Sequence, residues 1–310
     1  MKINFTVKTI LVMIVLCLPI YAQQVRVGET MRLTSLSAGK FMNPKASPSG
    51  TIFFTGEGNR GIYYLSEVDN LIIKLNDELG AGYEFVFSSD GKSIFFRSDN
   101  YVAGKKYSEL KEQIINTKEM TLLQPETRFL DVPRVSSDGY IIFSIDDKLQ
   151  VIGSDRVSKK ELAVLSEPIV KSVNNEIWVY TNGIKKTLQP LGDTHYIWTS
   201  LSPDKSNMLF YAVGKGTFVS DLNGNILFEL GDIRYPQWSP DGKWISYMLD
   251  IDDGRVVSES DIYIISIDGQ SKHKITNTEN IIEVYPSWNR NSLIYSDSEG
   301  MIYSTQLFFE

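Results

Sequence analysis

The chain has 310 residues, 42% of them hydrophobic and 22% charged, the balance of a soluble chain with a sizeable core. Its 38 acidic residues outnumber the 31 basic ones and no long Lys/Arg block interrupts that balance, which argues against a nucleic-acid partner. One cysteine and two histidines, Cys17, His195 and His273, are too few for a zinc centre or a disulfide framework.

The first predicted element is a leader. Lys2 and Lys8 precede an apolar run of about 11 residues, Ile10 to Ile20, and Ala22 is a small residue at a suitable cut. A spanning helix needs roughly 20 apolar residues, so residues 1–22 read as a secretory signal and not as an integral membrane span. Residues 23–310 are expected to form one domain, exported to the periplasm or beyond the cell, and monomeric.

From there the chain repeats itself. Seven related strings begin at Asn43 (NPKASPSGTIFFTG), Tyr83 (YEFVFSSDGKSIFFRS), Val132 (VPRVSSDGYIIFSI), Glu167 (EPIVKSVNNEIWVYT), Ile197 (IWTSLSPDKSNMLFYA), Tyr235 (YPQWSPDGKWISYM) and Tyr285 (YPSWNRNSLIYSD), a spacing that signals a solenoid or propeller. Each holds a short extended run, a turn rich in Ser, Pro, Asp and Gly, and an apolar run of strand formers. Pro presets the turn's second backbone angle, Asp bonds the local backbone, and Gly takes the positive φ that other residues resist. A second hairpin follows the first, loosely from Gly61 to Leu75 and clearly from Thr217 to Leu230 and from Ile262 to Thr276, where an NG or DG turn joins the strands. Four strands per unit, repeated radially, predict an all-β propeller of four-stranded blades.

Three segments test that scheme. YSELKEQIINTKEMTLL, from Tyr107 to Leu123, is rich in helix formers but falls where the second hairpin belongs, and strands are predicted there. The last unit is one strand short, while ETMRLTSL, from Glu29 to Leu36, resembles the fourth strand of other units; it is expected to complete the last blade and close the ring. Seven starts predict seven blades, or six if EIWVYTNGIKKTLQ, from Glu176, is the second hairpin of a preceding unit.

The repeated PxWSPDGKxIxY pattern followed by IYxxxxDG resembles the TolB-like, WD-related propeller repeat of exported bacterial proteins, across nearly all of residues 23–310. That resemblance implies the propeller fold, with six blades as the usual number; no cofactor is expected. TolB itself carries an N-terminal domain before its propeller; the layout here looks more like the stand-alone TolB-like propellers of Bacteroidetes-type bacteria.

Function is expected on one face. With the first strand of each blade innermost, the short SPDG and DG turns share one end of the ring, and the longer connections share the other, where binding usually resides. Those connections are GEGNRG with Arg60, RSDNYVAGKK with Arg97 and Tyr101, and LDIDDGRVVSESD with Asp252, Asp253 and Arg255. The starts of the inner strands add Tyr83 and Glu84, His195 and Tyr196, Arg234 and Tyr235, and Glu283 and Tyr285 around the same mouth. Aromatic rings beside a few charges suit a protein or cell-envelope ligand held without catalysis, cofactor or metal. The competing reading is a carboxylate-dependent hydrolase or lyase, with Glu84 and Glu283 facing each other across the channel. A serine hydrolase would need the GxSxG elbow, which is absent. DIDDG, from Asp250 to Gly254, is one residue short of a calcium loop.

Overall fold

The computed structural model describes residues 24–252 and 257–310, with Asp252 described by its backbone alone. The expected leader and the candidates Asp253 and Arg255 lie outside the described residues. Strand β1 (Val25–Arg32) belongs to the last blade. Blade 1 is β2 (Phe41–Ala46), β3 (Ile52–Gly56), β4 (Ile62–Leu65) and β5 (Ile72–Asn76); blade 2 is β6 (Val86–Phe87), β7 (Ser93–Val102), β8 (Lys105–Ile114) and β9 (Met120–Thr127). Blade 3 is β10 (Arg134–Val135), β11 (Ile141–Ile145), β12 (Lys148–Ile152) and β13 (Lys159–Lys160), and blade 4 is β14 (Ile169–Val173), β15 (Glu176–Thr181) and β16 (Ile184–Leu188). Blade 5 is β17 (Tyr196–Leu201), β18 (Asn207–Ala212), β19 (Gly216–Asp221) and β20 (Ile226–Gly231); blade 6 is β21 (Arg234–Trp238), β22 (Trp244–Asp252), β23 (Val257–Ser266) and β24 (Lys272–Lys274). Blade 7 is β25 (Glu283–Asn289), β26 (Ser292–Asp297) and β27 (Ile302–Phe309), with β1 paired antiparallel to β27 as its outer strand.

The turn motif is explained by its own hydrogen bonds. In blades 2, 5 and 6 the first residue is Ser88, Ser202 or Ser239, whose hydroxyl donates to the Asp two residues on at 2.6 to 2.7 Å. The same hydroxyl oxygen accepts the N–H five residues on, from Ser93, Asn207 or Trp244, and the Asp accepts a backbone N–H as well. Ser266 and Asp268 repeat the device in the second hairpin of blade 6. Such local bonds close the turn without reference to any ligand.

The core has seven parts, one between each pair of adjacent blades. Side chains of a strand alternate between faces, so the second strand of a blade serves two of these parts. In β18, Met208, Phe210 and Ala212 face blade 4, while Leu209 faces blade 6. Ile94 and Phe96 of β7 pack towards blade 1, and Phe95 packs towards blade 3. Burial on both sides explains why these strands read as unbroken apolar runs. Each fully buried Phe or Leu contributes about 1.5–3 kcal/mol. The seventh part, Phe41, Phe54 and Ile302, joins blade 7 to blade 1 and closes the ring. That pattern settles the number of blades at seven rather than six: β14 and β15 pair as the first and second strands of their own blade.

Two details differ from expectation. Blade 4 has three strands: with Pro190 lacking an N–H and Gly192 at φ 78°, the segment from Gln189 to Thr194 returns to the inner strand of blade 5 without pairing to β16. Two connections expected as irregular loops are hairpins that continue the ladder. β7 and β8 pair as far as Val102↔Lys105 around Ala103 and Gly104, at φ 50° and 73°, the two-residue turn that suits a twisted hairpin. β22 and β23 pair as far as Asp252↔Val257. The segment from Tyr107 to Leu123 lies in β8 and β9, as the repeat register required.

Candidate functional site

A bulge recurs at the start of the inner strands. In β2, β17, β21 and β25 two residues oppose one on the neighbouring strand, and the first of the two is left-handed: Asn43 (φ 51°), Trp198 (53°), Tyr235 (51°) and Tyr285 (57°). Glu84 (φ 56°) holds the corresponding place ahead of β6. A left-handed residue other than glycine costs about 1–2 kcal/mol, and a bulge re-aims side chains. Five such residues in one tier mark a common demand, and three of them, Glu84, Tyr235 and Tyr285, meet across the ring.

Tyr235 of blade 6 donates its hydroxyl to Glu84 Oε1 of blade 2 at 3.3 Å, a bond that crosses the ring. Its ring meets Tyr285 of blade 7 edge-on at 5.3 Å. Lys45, two residues beyond Asn43 in β2, pairs with Glu84 at 2.8 Å and also donates to the Phe85 carbonyl. Lys45 holds the Glu84 carboxyl below the ordinary carboxylate range, against burial. Burial, reinforced by the Glu84 charge, pushes the Tyr235 hydroxyl well above 10. Glu84 lies near the axis, yet its side chain is 41% exposed, as suits a group lining a water-filled channel. Arg134 of β10 takes part through its charge and donates to the Val170 carbonyl; burial lowers its pKa.

The predicted residues thus divide. Tyr83, Glu84, Tyr235 and Tyr285 come together. Arg97 lies with its guanidinium 5.5 Å from the Tyr83 ring and is fixed from behind by Asp99 at 3.0 Å and the Leu130 carbonyl at 3.1 Å. Tyr101 is exposed at the hairpin tip and His195 is exposed beside β17. Arg60 pairs with Asp77 on the rim, and Arg234 turns towards Tyr211 and Asp232 of blade 5. Tyr196 does not line the mouth: it is 2% exposed in the core between blades 4 and 5, and its hydroxyl bonds Leu191 and Gly192.

Glu283 is also a correction, because it does not face Glu84 across water. It is 2% exposed, its Oε1 accepts from Thr278, and its Oε2 has no partner among the described residues. Burial raises its pKa above the ordinary value, and Asp261 and Asp297 act in the same direction. The folded chain therefore keeps a proton there that the unfolded chain has lost, so this group's contribution to stability falls as pH rises above about 4.5. Glu283→Gln is expected to raise the melting temperature by a few degrees at pH 8, with the gain vanishing near pH 4; thermal scans at the two pH values check it.

Exposed aromatic residues mark the mouth face of the ring. Tyr83, Tyr101, Phe129 and Trp198 are exposed, and the topology places all four on the face opposite the SPDG turns. Phe129 (66% exposed) and Trp198 were not legible as candidates, nor were Lys45 and Arg134. Only the repeat register could have found them: Trp198 shares a column with Tyr235 and Tyr285, and Lys45 and Arg134 share the next inward-facing one. A cleft of about 600 Å³ lies elsewhere, on the flank between β1 and blade 1. Arg32, Leu33, Phe41, Tyr63 and Lys74 line it with other residues, and no carboxylate does.

A closed ring of seven repeated antiparallel blades, sealed by β1, makes this chain a seven-bladed β-propeller. No family model matches it, and no curated protein matches it in sequence. Among solved structures, an oligogalacturonate lyase from Vibrio parahaemolyticus is similar with a TM-score of 0.61 at 12% identity, over 92% of this chain and 97% of that one. TolB from Acinetobacter baumannii gives 0.53 at 18% identity, over 81% of this chain and 58% of that one. The tricorn protease gives 0.51 at 16%, over 86% and 25%. At such identities these likenesses show the fold alone.

Proposed function

We propose that this chain is an exported, non-catalytic propeller that binds a protein or cell-envelope ligand through its aromatic-rimmed face. The observation that carries this is that Tyr83, Tyr101, Phe129 and Trp198 are all exposed on the face at whose mouth Lys45 and Glu84 pair and Arg134 adds its charge. Exposed aromatic side chains grouped on one face are the usual anchors of a binding surface. The similar folds include both TolB and an oligogalacturonate lyase, so analogy of fold does not choose between binding and catalysis. Against the carboxylate enzyme stands the geometry of its two acids: Glu84 is paired with Lys45, and Glu283 is buried away from the channel. Among the described residues no helix is long and apolar enough to cross a membrane.

The test compares three purified chains against an envelope extract. Phe129→Ala with Trp198→Ala alters the rim, whereas Val68→Ala with Val157→Ala alters the opposite face. Loss of an anchor aromatic typically costs about 2 kcal/mol or more, so the rim variant should retain its partner at least thirtyfold less well. The second variant should match wild type. Equal retention by all three would sink the proposal.

A further inference from the structure

Six blades end in a fourth strand that covers the outer backbone of the third. Among the described residues, blade 4 alone leaves that backbone open. β16 pairs with β15 from Ile177↔Leu188 to Thr181↔Ile184, and on its outer side no backbone bond from a described residue reaches residues 184–187. Ile184, Lys185, Lys186 and Thr187 are all exposed, Ile184 by 74%. An uncovered third strand with free N–H and C=O groups is a template for an added strand.

The side chains say what could add. Register puts Lys185 and Thr187 on the face of Trp178 and Tyr180, towards blade 3, and Ile184 and Lys186 on the face of Val179, towards blade 5. Lys185 lies 3.6 Å from the centre of the Trp178 ring, and Lys186 donates to Asn223 Oδ1 of blade 5 at 2.8 Å. Neither makes an ion pair among the described residues, although the chain is acidic overall, with a formal charge of −7. Acids in and beside the blade are engaged elsewhere: Glu176 accepts from the Trp178 indole, Asp193 from Asn175, and Asp221 from Asn225 and the Asn223 N–H. Pairing with a second copy about a two-fold axis would set ammonium against ammonium, directly or diagonally, which is unfavourable. Adjacent carboxylates on an incoming strand would instead meet one lysine on each face.

We infer that β16 is a docking edge for an extended acidic segment of a partner protein, which adds to blade 4 as its fourth strand. The site lies on the outer wall of the ring, and it stands independently of the rim proposed above. Backbone bonds to β16 supply affinity, and Lys185 and Lys186 supply the choice of charge.

Synthetic peptides test this on the purified chain. The probe is acetyl-Val-Thr-Glu-Glu-Val-Thr-amide; its controls carry Lys-Lys in place of Glu-Glu, or N-methyl groups on alternate backbone nitrogens. Fluorescence anisotropy should show saturable binding of the Glu-Glu peptide. Hydrogen exchange should show protection confined to the β16 amides, at least tenfold at saturation. The Lys-Lys and N-methyl peptides should bind at least tenfold more weakly. Lys185→Glu with Lys186→Glu, on an exposed edge and checked by thermal melting, should invert the preference between the two charged peptides. Binding insensitive to N-methylation, protection away from β16, or protection that instead tracks chain self-association would each overturn the inference.

Discussion

Removal of Val25–Arg32 is expected to abolish the cooperative unfolding transition of the whole ring. This strand is the most distant in sequence from its partner: Val25 pairs with Phe309 and Arg32 with Tyr303, and Thr30 bonds Thr305 across 275 residues at 2.8 Å. Without it, β27 becomes an open edge carrying Leu307 (1% exposed), and Val25 is lost from the core that holds Trp244 and Trp288. Leu33 and the Thr34 hydroxyl, which accepts from the Ile302 N–H, lose their anchorage at the thinnest part of the core. A domain is stable by about 5–15 kcal/mol, and the loss of a paired, partly buried eight-residue strand is of the same order. Differential scanning calorimetry should show a broad transition or none, and adding a synthetic peptide of residues 24–36 should restore a sharp one. A truncated chain that melts within a few degrees of wild type would show that the ring does not depend on its closing strand.

That dependence was legible because it is local chemistry repeated. The Ser–Asp turn fixes its own geometry through bonds spanning two to five residues, so each copy announces a hairpin wherever it stands. Blade count followed from the copies, and closure followed from a strand missing at one end of the chain and found at the other. What the residues could not state is which side chains meet across the ring. Tyr235 and Glu84 are 151 positions apart, and their bond depends on the left-handed bulge that turns both towards the axis. Nothing in the single residues Tyr235 or Glu84 encodes that bulge; it appears only when the columns of the repeat are set side by side. For the same reason Tyr196, two residues before the bulge residue Trp198, was mistaken for a channel position: the bulge breaks the strand's alternation, and Tyr196 faces the core instead.

Gly82→Ala is the sharpest probe of how the rim is seated. A Cβ at this position would lie 1.7 Å from Thr55 Oγ1 and 2.2 Å from Thr55 Cβ, although its φ is not in the left-handed region. Thr55 cannot yield: it is fully buried in β3, and its hydroxyl bonds the Gly61 carbonyl at 3.1 Å. The segment that must move instead is held by the Gly82 N–H on the Asn59 carbonyl at 3.1 Å, and it carries Tyr83 and Glu84. Overpacking of this kind costs about 1–3 kcal/mol and occasionally more; here the upper end is expected, and with roughly 2–4 °C per kcal/mol in a large domain the melting temperature should fall by about 6–12 °C. Rescue separates steric conflict from a general weakness of the loop. Thr55→Ala removes the hydroxyl but leaves the Cβ at 2.2 Å, so it should not restore stability to Gly82→Ala. Thr55→Gly removes both atoms and should recover part of the loss despite its own cost in a strand. Partner retention should follow the same order, because Tyr83 and Glu84 move with the segment. If Thr55→Ala rescued as well as Thr55→Gly, the conflict would lie with the hydroxyl alone, and the close approach of the two backbones would not be what seats the rim.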